Sequence, residues 1–139
     1  MDRFDAAQGV ADARKIDEGV SRGMKPIFFA EGTLQRIPGL LPFQMGAFVL
    51  AGHHQLPVVP VIIQGTRNIL RGGSWFPRRG TVGVIFASPC YSSGTSWKEA
   101  VELRNEVRGK ILQHLAEPDL AGEYTSLLQT EVIHTKTRP

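Results

Sequence analysis

The chain has 139 residues, 42% of them hydrophobic and 21% charged, which suits one ordinary globular domain and excludes a chain too polar to build a core. A net charge of +3 and a pI near 9.4 fit an anionic lipid, a phosphorylated substrate or a nucleic acid, and select none of them. The lone cysteine, Cys90, excludes an intrachain disulfide and fits a reducing compartment, and no apolar run approaches the ~20 residues of a membrane span.

In chain order, Met1 to Asp5 carry two acids and no apolar run, unlike a signal peptide. Ala6, Val10, Ala13, Ile16 and Val20 recur at three and four residues and predict a helix from Asp5 to Arg22, capped by Asp5 and stopped by Gly23. Lys25 to Ala30 reads as a short buried strand, with Glu31-Gly32-Thr33 directly after it. Pro38 and Gly39 break a turn-rich stretch from Thr33 to Leu41.

Pro42 suits the first turn of a second helix, with Phe43, Ala47, Leu50 and Ala51 on its core face. His53 and His54 close that helix, as the helix dipole favours. Leu56 to Ile63 is a continuous apolar run of the kind that forms a central strand buried on both faces, although Pro57 and Pro60 argue for an end or edge there. Gln64 to Gly80 reads as a loop with four arginines, Arg67, Arg71, Arg78 and Arg79, and Thr81 to Ala87 as a third strand.

Ser96-x-x-Glu99 is a capping box that opens the clearest helix, with Ala100, Leu103, Val107, Ile111 and Leu115 on its apolar face. Strands alternating with helices give an α/β class, and three strands make a thin sheet. We expect one domain over residues 1–122 and a tail over 123–139. Nothing indicates a nucleic-acid platform, a metal-spaced His/Cys cluster or a cofactor fingerprint.

Glu31-Gly32-Thr33 stands just past a strand, where open α/β sheets bind ligands. Gly32 permits close backbone approach, and Thr33 and Arg36 offer a hydroxyl and a guanidinium to phosphate oxygens. The stretch Phe28-Phe29-Ala30-Glu31-Gly32-Thr33-Leu34-Gln35-Arg36 resembles the F-P-E-G-T-R-S-R motif of the lysophosphatidate acyltransferase family. Pro42-Phe43 followed by Gly46-Ala47-Phe48 is similar to the family's next segment, and Leu56 to Val61 to its V-P-V-V-P-V motif. Gly65-Thr66-Arg67 and Pro77-Arg78-Arg79-Gly80 fit what comes after, and Asp2-Arg3 resembles the end of the preceding motif.

The resemblance runs from Asp2 to Pro89 with two departures: Ala30 stands where the family has proline, and Leu34 where it has arginine. It implies a glycerolipid acyltransferase-like α/β sheet flanked by helices, and transfer of an acyl group from acyl-CoA or acyl carrier protein to a lysophospholipid hydroxyl. Arg3, Glu31, Gly32, Thr33, Arg36 and Pro60 would then form the acceptor site, at the cytoplasmic face of a membrane and with no metal or cofactor. The family's base is the histidine of Asn-His-x4-Asp, which lies upstream of the Asp-Arg motif. We therefore expect that N-terminal portion to be missing, and no catalytic residue in the chain given. The remaining alternative is a phosphate- or lysophospholipid-binding module without chemistry. His114-x4-Asp119 has the right spacing, but it stands at a helix end after the last motif, with Pro118 between the two residues.

Overall fold

The computed structural model describes residues 6–32, 38–69 and 76–122. In chain order these hold α1 (Ala6–Ser21), α2 (Gly46–His53), β1 (Val61–Gln64), α3 (Thr66–Ile69), β2 (Gly83–Phe86) and α4 (Trp97–His114). Asp5, the expected cap of α1, lies outside the described residues, as does the tail beyond Gly122.

Helix α1 ends as its sequence requires. Gly23 takes a φ of +92°, its N–H bonds the Val20 carbonyl, and the Met24 N–H bonds Gly19, the paired bonds of a Schellman turn. Of its apolar stripe, Val20 is buried, Ile16 is half-buried and Ala13 is exposed.

Lys25 to Phe29 is a correction to the expected buried strand. The segment pairs with no strand among the described residues, and Ile27 and Phe29 stand 88% and 83% exposed. An apolar segment becomes a strand only when a neighbour takes its backbone hydrogen bonds.

Helix α2 begins at Gly46 rather than at Pro42. A non-local bond decides this: the Gln44 N–H donates to the Ala30 carbonyl at 2.8 Å, which holds residues 42–44 extended until Met45. The expected central strand over Leu56–Ile63 is likewise shorter and one-sided. Prolines 57 and 60 cannot donate to a ladder, so the run gives one isolated bridge, Val58 to Cys90, and then β1.

Strands β1 and β2 pair antiparallel, Val61 opposite Phe86 and Ile63 opposite Val84, as the whole of the sheet among the described residues. Ile62 turns inward and is 2% exposed, whereas Val61, Ile63, Val84 and Phe86 alternate onto an uncovered face, 44 to 71% exposed.

Helix α4 organises the core, packing on α2 and β1. Its box is formed, with the Ser96 N–H donating to Glu99 Oε2 at 2.7 Å. Ala100, Leu103 and Val107 are buried against Leu40, Phe43, Phe48, Ala51 and Cys90, with Ile111 and Leu115 at the margin. Cys90 is buried in this core, and burial pushes its thiol pKa up. No helix among the described residues is long and apolar enough to cross a membrane.

Candidate functional site

The Glu31 turn is built from two sides. On its own segment, the Gly32 N–H donates to the Phe29 carbonyl at 2.9 Å, and Gly32 takes a φ of +70°. That left-handed turn suits glycine, and a Cβ there would also meet Gln44 Cγ at 3.0 Å. From the other side, residues 41–44 close against the turn. The Leu41 N–H donates to Glu31 Oε2 at 3.0 Å, beside the Gln44 to Ala30 bond. Glu31 therefore fixes where the chain returns after residues 33–37.

The return segment is itself held from behind. Leu40 forms a parallel bridge with Asp119, its N–H donating to Pro118 and its carbonyl accepting from Leu120 at 3.0 Å. The Arg108 guanidinium donates to the carbonyls of Leu40 and Leu41 and to the Asp119 carboxylate, and lies 4.9 Å over the Phe43 ring. One half-buried cation thus satisfies three acceptors and stacks on an aromatic face. The Arg108 hydrogen bond, followed by that of the Ala121 N–H, holds the Asp119 carboxyl below its usual pKa.

Arg67, expected in a loop, lies in α3 and pairs with Glu117, Nε to Oε1 at 2.8 Å, while Glu117 Oε2 accepts the Gly39 N–H at 2.8 Å. Arg78 and Arg79 are exposed beside Phe76, and Arg71 lies outside the described residues.

Among the expected site residues, the structure brings Glu31 and Gly32 together in this turn. Pro60 is buried at the mouth of the sheet, where its carbonyl accepts the Ala87 N–H at 3.0 Å, so its visible role is to start β1. Thr33, Arg36 and Arg3 lie outside the described residues. His114 and Asp119 are each engaged elsewhere, His114 Nδ1 with the Lys110 carbonyl at 2.9 Å and Asp119 with Arg108.

Sequence reasoning missed Arg108, which sits on the polar side of the α4 periodicity and whose two carbonyl acceptors lie 67 and 68 residues away. It also missed the bond between His54 Nε2 and Asp17 Oδ1, 2.7 Å long, which ties the end of α2 to α1.

Residues 1–64 match the model of the Acyltransferase family. The chain is 34% identical to the chloroplastic 1-acyl-sn-glycerol-3-phosphate acyltransferase BAT2 of Brassica napus, over 83% of this chain and 32% of that protein. It is 32% identical to the chloroplastic LPAT1 enzyme of the same name from Arabidopsis thaliana, over 83% of this chain and 31% of that one. With the 1-acyl-sn-glycerol-3-phosphate acyltransferase of Saccharomyces cerevisiae it shares 25% identity, over 99% of this chain and 50% of the yeast protein. The chain thus spans about a third to a half of the length of these relatives. No solved structure matches it. The stretch that resembles the Acyltransferase family, residues 1–64, includes the Glu31 turn and the segment that braces it.

Proposed function

We propose that this chain supplies the acceptor-binding part of an enzyme that transfers an acyl group from a thioester to the free hydroxyl of a 1-acyl-glycerol-3-phosphate in phospholipid synthesis. The observation that carries the reading is the braced turn. Glu31 accepts from the Leu41 N–H and Ala30 from the Gln44 N–H, so the chain before residues 33–37 is tied to the chain after them. In this reading the braced turn presents the Thr33 hydroxyl and the Arg36 guanidinium to the acceptor phosphate, with Arg3 as a second cation. A guanidinium fork matches phosphate oxygens in geometry and charge. Pro60 and the segment around it form a wall of the site.

The donor is acyl-CoA or an acyl carrier protein, and exposed Arg78 and Arg79 offer charge to either. Next to the exposed Phe76 they also suit peripheral contact with anionic headgroups, an aromatic ring and basic side chains being the usual pair at a lipid surface.

No Asn-His-x4-Asp occurs in the 139 residues, and the His114/Asp119 pair is committed to other partners. We therefore infer that the chain binds the acceptor and needs a base from elsewhere for transfer, in which the histidine removes the hydroxyl proton as oxygen attacks the thioester carbonyl and the thiol leaves. The alternative, a lysophospholipid-binding module with no chemistry, shares the binding and differs in the reaction. The test is incubation of the chain with lysophosphatidate and a radiolabelled acyl-CoA, alone and together with a polypeptide carrying the N-terminal third of a relative. Labelled phosphatidate formed only in the mixture supports the enzyme reading. Binding of lysophosphatidate with no product in either favours the module, and product from the chain alone overturns the inference that its base lies elsewhere.

A further inference from the structure

We infer that Asp17, His53 and His54 form a binding site for a divalent cation of the zinc class, bridging α1 and α2. The three side chains converge from two elements, and one ligand atom from each lies within 4.8 Å of the other two. His54 stands 2.7 Å and His53 3.7 Å from the same carboxylate oxygen. Donors ~2.0–2.1 Å from a tetrahedral zinc ion stand roughly 3.3 Å apart, so these separations bracket what one ion requires. Small side-chain rotations suffice, because His53 is 68% and Asp17 45% exposed.

The donor set narrows the ion. Two imidazole nitrogens and one carboxylate oxygen are the ligands of open zinc and related transition-metal sites, while magnesium and calcium favour all-oxygen shells. The two rings meet edge to face at 76° with centroids 5.0 Å apart, and each turns a nitrogen to the Asp17 carboxylate. His54 is the anchored member, at 16% side-chain exposure, and the exposure of the other two leaves solvent on the outer side for a further ligand.

The site has a structural consequence. Of the described α1 stripe, Val20 is buried, Ile16 half-buried and Ala13 exposed, and the site would add a tie from this helix to α2. A cation that binds the folded arrangement and not the unfolded chain raises stability with the logarithm of its concentration.

The test uses the untagged 139-residue chain, titrated with Zn2+ by calorimetry and melted over a range of Zn2+ concentrations. The expected result is one ion per chain, a melting temperature that rises with Zn2+, and no competition from Mg2+. Asp17→Asn, His53→Ala and His54→Ala should each weaken binding by at least about tenfold, since loss of an outer-sphere partner alone costs ~10–100-fold at such sites. His114→Ala should bind as the parent does. His53→Ala is the decisive variant, because it leaves the bond between His54 and Asp17 in place and circular dichroism can confirm that it folds. Binding weaker than about 1 mM, or binding that His53→Ala leaves unchanged, would overturn the site and leave an ion pair between two helices.

Discussion

At the residue scale the central group is Glu31, whose carboxylate accepts the Leu41 N–H in a part-buried turn. Glu31→Ala leaves that N–H without its partner, and we predict a loss of ~1–3 kcal/mol in urea denaturation. Weaker lysophosphatidate binding should accompany it, and the milder Glu31→Gln, which keeps an acceptor oxygen, should recover most of both. Asp119 gives a pH signature. Its folded pKa is held down by Arg108. Its contribution is therefore complete above the ordinary carboxylate value of ~3.9 and is lost as pH falls through the depressed folded value. The melting-temperature gap between the parent chain and Asp119→Asn should be widest near neutrality and close in acid; a gap that stays constant with pH would contradict this. Glu31 and Gly32 were legible in the sequence because they sit in a contiguous motif. Arg108 was not, because its meaning depends on carbonyls brought to it by tertiary packing.

At the element scale, what was legible is what local chemistry decides. The Ser96/Glu99 box and the Gly23 stop concern bonds that span a few residues, and both formed as expected. Ser96→Ala should therefore cost about 1 kcal/mol of stability, read as a shift in the urea midpoint with an unchanged slope. The start of α2 and the fate of Lys25–Phe29 were not legible for the opposite reason. The first depends on a bond from Gln44 to Ala30, the second on whether another strand lies alongside. Composition marks both stretches as apolar and does not say what covers them. The expected central strand failed in part on a local rule as well, since two prolines shorten the stretch that can pair.

For the whole molecule, the uncovered face of the β1–β2 pair is the largest departure from a self-sufficient domain. Val61, Ile63, Val84 and Phe86 lie exposed side by side, and Ile27 and Phe29 add further apolar surface. Exposed apolar sheet surface and unpaired strand edges promote association. The chain should sediment with a concentration-dependent mass, and Phe86→Lys should shift it toward monomer; a single monomeric species at all concentrations would refute this. Three strands were expected and two form among the described residues; the antiparallel pairing and the bare face were not legible either, since both follow from what packs against the sheet. The central claim, that residues 33–37 on the braced turn hold an acceptor phosphate, is tested most directly by calorimetric titration of lysophosphatidate, below its micellar concentration, into the parent chain and Arg36→Ala. The account predicts saturable one-to-one binding that Arg36→Ala weakens by about tenfold, the ~1.4 kcal/mol of one charge-assisted phosphate contact. Saturable binding that Arg36→Ala leaves unchanged, or no saturable binding at all, would contradict it.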